Sequence, residues 1–189
     1  MIILASGILL FSLLHGIAAM PRCKSHVKAR MGERWFGPVY GLASLLAIAV
    51  IVLGWRSADF VPVYEPAHWG WFVNYGLTFL GFLCLGIFLF RGHLRQRLRF
   101  PMGLAAGFWA VGHLFANGDL ASLILFGGFL LFSVAYVAVA MAHGVRPTPE
   151  VRTGHDGLAL FAGAALYAAM TQFHPVLIGV PIFALSKAG

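Results

Sequence analysis

The chain has 189 residues, 60% of them hydrophobic and only 10% charged, with a mean hydropathy of +0.87 and a formal net charge of +7. A soluble domain carries about a quarter charged residues, so the composition excludes an ordinary soluble domain and a disordered chain, and it points to an all-α integral membrane helical bundle. The charge does not point to nucleic acid: nine of the thirteen Lys and Arg residues fall between Arg22 and Arg34 or between Arg91 and Arg99, without the stacking aromatics that nucleic acid needs.

In chain order, the first apolar run is Ile2–Met20. It has no basic start, and a basic cluster follows it, so it reads as a retained helix rather than a cleaved signal peptide. Further spans are expected at Val39–Trp55, Gly70–Phe90, Pro101–Ala116, Leu120–Ala142 and Gly157–Phe173, about six transmembrane helices in all. The first, third and fifth connections carry five, four and two Lys or Arg, the second and fourth one and none. That alternation places the basic loops in the cytoplasm and the N-terminus outside. Trp55, Tyr64, Trp69 and Trp71 bracket the second connection and fit an interfacial aromatic belt. After Phe173, His174-Pro175 is expected to end the last helix, with a short tail to Leu185 packed at the outer face. Residues 1–185 read as one transmembrane domain and Ser186–Gly189 as an appended remnant. Cys23 lies in a basic loop and Cys84 mid-helix, too different in depth to form a disulfide.

Ionisable residues inside spans are the candidates for chemistry. His15 lies in the first helix and His113 in the fourth; Asn117 and Asp119 follow at the next turn, where Asp119 is expected to cap or orient the fifth helix. Two imidazoles on separate helices, with Gly16 after one and Gly103, Ala106, Gly107, Ala110 and Gly112 before the other, suit axial ligation of a haem iron. The same small residues suit tight helix packing, with each histidine hydrogen-bonded to a neighbouring helix. Depth counts against a shared iron: His15 lies about 9 Å, and His113 about 18 Å, from the cytoplasmic end of its helix. His26, His68 and His93 are expected at the membrane surface. No HExxH, GxSxG, P-loop or carboxylate pair occurs, which leaves hydrolase and nucleotide chemistry without support and no residue assignable as catalytic.

The run Phe108-Trp109-Ala110-Val111-Gly112-His113-Leu114-Phe115-Ala116-Asn117-Gly118-Asp119, the preceding Arg99-Phe100-Pro101, the first-helix segment Phe11–His15, and Gly32-Glu33-Arg34 resemble the NnrU family over most of the chain. That family is named from denitrification clusters and is linked to nitrite and nitric oxide metabolism. Plant 15-cis-zeta-carotene isomerase, a haem b membrane enzyme, is similar to it. The resemblance implies a multi-pass protein of a bacterial cytoplasmic membrane carrying haem b, with His15 and His113 as axial ligands. Arg22, Lys24 and Arg99 stand toward the cytoplasmic end, where the haem propionates are expected to point. It implies either action on a lipophilic polyene or on nitric oxide, or electron exchange with a quinone or a membrane-protein partner. The isomerase carries a cysteine three residues before its second histidine; Ala110 stands there in this chain, which removes a Cys-for-His exchange, and Phe100 replaces the histidine of the family's Arg-His-Pro. The alternative is a cofactor-free accessory subunit packed beside another membrane complex.

Overall fold

The structure, a computed structural model, describes residues 1–145 and 150–179. Among the described residues eight helices follow one another: α1 (Ile2–Ala19), α2 (Pro21–Met31), α3 (Glu33–Arg56), α4 (Gly70–Leu89), α5 (His93–Leu98), α6 (Pro101–Ala116), α7 (Leu120–Ala142) and α8 (His155–Ile178). By length and hydropathy α3, α4, α7 and α8 are able to cross a membrane, and a fifth crossing results if α1 and α2, bent by 93° at their junction, form one broken span. The expected six spans therefore become four or five, with α6 a shorter apolar helix of 16 residues. The chain is a multi-pass membrane bundle.

Three sequence expectations are corrected at element boundaries. The basic connections are not loops: α2 and α5 occupy them, polar helices with no buried residue. α3 begins six residues before Val39, at Glu33, and runs through Pro38. Its first turn holds charged residues, including Glu33, which pairs with Lys28 at 2.7 Å; hydropathy does not register such a polar turn at the membrane edge. His174-Pro175 does not end the last helix either, since α8 continues to Ile178 and stops at Gly179, whose φ of +87° only glycine adopts readily. Near a C-terminus, proline removes one helix hydrogen bond without forcing the chain out of the helix. The rest of the expected tail, residues 180–185, and the remnant Ser186–Gly189 lie outside the described residues.

The helices pack in the spatial order α3–α1–α7–α6–α4–α8. Among the described residues α3 and α8, the two ends of that order, are not closely packed on each other, and both line one cavity. One end of the bundle carries α2, α5 and their basic residues; the other carries the aromatic segment 57–69. Near the aromatic end the core is Leu4, Ile8, Ile51 and Ala121, with Phe11, Trp55, Leu125 and Phe129 against it. At the basic end it is Ala19, Phe100 and Ala140. Leu13, Leu45, Phe72, Leu131 and Phe161 are exposed on the outside, as a lipid-facing surface requires.

Close backbone approach at glycine sets two of the helix pairs. Gly54 of α3 meets the Leu4 backbone of α1, and Gly163 of α8 meets α4, where an added Cβ would lie 2.6 Å from the Phe82 carbonyl oxygen. Because backbone cannot yield as a flexible side chain can, Gly163→Leu is expected to cost about 1–3 kcal/mol. A lowered thermal unfolding midpoint in nanodiscs would register this, and an unchanged midpoint would show that α4 and α8 separate without cost.

Candidate functional site

A cavity of about 480 Å³ lies between α3, α4, α6, α7 and α8 in the half of the bundle nearer the aromatic end. Each wall is one helical face. Trp109, His113 and Asn117 come from α6 at intervals of four; Trp71, Asn74, Tyr75, Thr78 and Phe82 from α4; Tyr167, Met170, Thr171, His174 and Ile178 from α8. α3 adds Ile51, Val52, Trp55 and Arg56, and α7 adds Leu125 and Phe126. Volumes of about 300–1,000 Å³, apolar walls and a few polar groups are typical of small-molecule sites.

His113 is a part-buried polar residue of this lining. Its Nδ1 lies 2.8 Å from the Trp109 carbonyl oxygen, one turn back in α6. Its ring stacks on Phe126 at 4.5 Å between centroids, and Trp109 meets the same Phe126 at 4.9 Å. Other polar groups of the cavity are tied internally: Thr78 donates to Asn74 Oδ1 at 2.9 Å, and the Tyr167 hydroxyl to the Tyr75 carbonyl at 3.3 Å.

His15 stands elsewhere. It is not among the residues lining the cavity. Its Nδ1 lies 3.0 Å from the Phe11 carbonyl oxygen, and its ring sits between Phe11, Tyr40 and Phe132. On α7, then, His15 packs at the level of Phe132 and His113 at the level of Phe126. Those six residues correspond to about 9 Å along the helix. Phe129 stands between the two levels, in contact with Phe11 on one side and Trp109 on the other. A haem bridging both histidines needs their nitrogens about 4 Å apart across the iron, and it does not fit this packing. Arg22 is exposed in the first turn of α2, and Arg99 lies over the Phe100 ring at 5.8 Å; both are at the basic end, away from the cavity. Among the described residues no group of three or more His, Cys, Asp or Glu is placed to hold a metal ion. His26, His68 and His93 are exposed, with His93 Nδ1 3.5 Å from Asp156, and Cys23 and Cys84 are free thiols.

The turn after His113 works as a clip over the aromatic end of the bundle. Gly118 accepts from the backbone N–H groups of Val63 and Tyr64 at 2.8 and 3.0 Å, and the Leu120 N–H donates to the Val61 carbonyl at 2.8 Å. Asn117 closes α6: its side-chain amide and its backbone N–H both donate to the His113 carbonyl, at 2.8 and 2.9 Å. The Tyr64 hydroxyl donates to the Leu114 and Asn117 carbonyls. Tyr64 is thus an anchor of this segment, whereas Trp69 and Trp71 are exposed. Asp119 is the N-cap of α7, accepting from the Ser122 N–H at 3.0 Å and from the Ser122 hydroxyl. Asp119→Ala is expected to cost about 1 kcal/mol, and Asp119→Asn less because its amide oxygen still accepts. Equal losses for the two in thermal unfolding would assign the carboxylate a role beyond capping.

Burial first, and the Asp119 charge second, push the Tyr64 phenol above its usual value of 10. An acid whose folded value is raised contributes stability below its unfolded value and loses it as pH rises through the folded one. The clip is therefore expected to hold at neutral pH and loosen only above about pH 10. Tyr64→Phe should lose this alkaline step in a pH series of unfolding midpoints; its persistence would place the titrating group elsewhere.

Asn74, Tyr75 and Thr171 are not singled out from the sequence, and His174 is read there only as part of a helix stop. Their signal was present: Tyr167, Thr171 and His174 recur every three to four residues, as do Trp71, Tyr75 and Thr78. Polar residues repeating on one face of an apolar helix mark a shared interior surface.

A separate apolar groove runs along α6 and α7 at Gly103, Gly107, Phe108, Ser133 and Val137, and neither histidine lines it.

The fold and site together define a multi-pass helical membrane protein with a cavity between its helices. The family described as NnrU protein matches residues 3–182, and the chain belongs to it. No curated protein matches it, and no solved structure matches it.

Proposed function

We propose that this NnrU-family protein acts in the membrane as an accessory protein that holds an amphipathic small molecule in the α3–α8 cavity, without a haem shared between His15 and His113. The observation that carries this reading is that the cavity has His113 at its wall and not His15. The apolar groove along α6 and α7 supports a position beside another membrane component. Titrating the full-length protein in nanodiscs with short-tailed aromatic amphiphiles tests the reading. Trp55, Trp71 and Trp109 line the cavity, so saturable quenching of tryptophan emission is expected; quenching that only tracks partition into the bilayer would contradict it.

A second reading is haem b, which the family resemblance implies, and one observation favours it. At both His15 and His113 the Nδ1 faces a backbone carbonyl, which leaves Nε2 as the free nitrogen, the arrangement of a metal-ligating histidine. Haem would supply a redox-active iron, held by one of these imidazoles rather than by both. A role with nitric oxide, a quinone or a polyene, and a place in the cytoplasmic membrane of a bacterium, rest on the same resemblance.

A further inference from the structure

The protonation pattern at His113 sets what the cavity can recognise. The Trp109 carbonyl can only accept, so the hydrogen between them sits on His113 Nδ1. Nε2 of the neutral ring then carries a lone pair and must itself receive a hydrogen bond. No described residue donates to it. Nor is it sealed in the core, because every fully buried side-chain nitrogen or oxygen among the described residues has a partner. The unpaired Nε2 therefore opens to the cavity that His113 lines. Four donors nearby are already engaged: Asn117 on the His113 carbonyl, Thr78 on Asn74, Tyr167 on Tyr75 and Thr171 on Ala168.

Resting on the cavity reading above, we propose that the ligand is a tailed aromatic alcohol, a phenol or hydroquinone, whose O–H donates to His113 Nε2. Aromatic walls at Trp109 and Phe126 flank this acceptor and suit a flat ring. Ile51 and Val52 of α3 and Met170 and Ile178 of α8 give an aliphatic tail an apolar wall, so only the ring needs the polar contact. The corresponding quinone or an aryl ether has oxygens that only accept, and they face a nitrogen that only accepts. Loss of one hydrogen bond to a half-buried group changes affinity by about tenfold.

The test uses the full-length protein in nanodiscs and three probes: 2-decylhydroquinone, its dimethyl ether and 2-decylbenzoquinone. The hydroquinone, titrated under anaerobic reducing conditions, is expected to bind about tenfold more tightly than the ether or the quinone. In His113→Phe, which keeps a ring of similar size without the acceptor, the preference is expected to shrink to within about twofold. Equal affinities of hydroquinone and ether for the unaltered protein would overturn the donor assignment and leave the cavity reading standing, and that comparison needs no variant. Saturable binding by none of the three would overturn the cavity reading itself. A preference that survives in folded His113→Phe would overturn His113 as the acceptor.

Discussion

Gly118→Val is expected to destabilise the protein by about 3 kcal/mol, from overpacking and from the hydrogen bonds lost with it. The Tyr64 carbonyl and Pro66 occupy the space a Cβ would need, so the 57–69 segment must lift. Lifting it breaks the bonds from Val63 and Tyr64 to Gly118 and from Leu120 to Val61, together with the Tyr64 hydroxyl contacts. Gly127→Ala is the control, because nothing lies within 4 Å of a Cβ there. Thermal unfolding in nanodiscs and the rate of proteolysis within 57–69 measure the effect. Equal midpoints for the two variants would mean that the clip does not hold the segment.

The second large effect is on binding. Val52 and Thr171 line the cavity from α3 and α8. Replacing both by Phe narrows the cavity from two walls without changing His113. The double variant is expected to lose at least about tenfold in amphiphile affinity, because a ring that cannot enter forfeits its burial. Its unfolding midpoint should stay near that of the parent, since Val52 is 46% exposed and Thr171 only part-buried. Unchanged affinity with correct folding would place the ligand elsewhere.

Much of the bundle was legible because hydropathy reports burial in lipid. Pro101–Ala116 and Leu120–Ala142 have the bounds read from the sequence, helped by a proline at the first position of α6 and an aspartate capping α7. Legibility failed where polar residues belong to helices. α2 and α5 are too polar to register as membrane elements, and the first turn of α3 looks like loop for the same reason. Pro175 misled in the opposite direction, since a proline rule written for helix interiors is weak in a last turn. At the site, His113 stood out as an ionisable residue in an apolar run, while its cavity neighbours did not, because Asn74, Tyr75 and Thr171 are ordinary in isolation and informative only as a repeating face. The difference in depth between His15 and His113 was readable by counting residues, and the packing on Phe132 and Phe126 retains it. What counting could not supply was the insertion of Phe129 between them, which depends on the rotation of α7 against α1 and α6.

The separation of those two histidines is tested most directly by absorption spectra, oxidised and reduced, of the protein expressed with ample haem, compared with His15→Ala and His113→Ala. A shared haem has two imidazoles on one iron, so removing either would convert a six-coordinate low-spin spectrum toward high-spin. No such spectrum is expected from the unaltered protein. A low-spin haem spectrum that is lost alike in His15→Ala and in His113→Ala, but kept in His26→Ala, would contradict it.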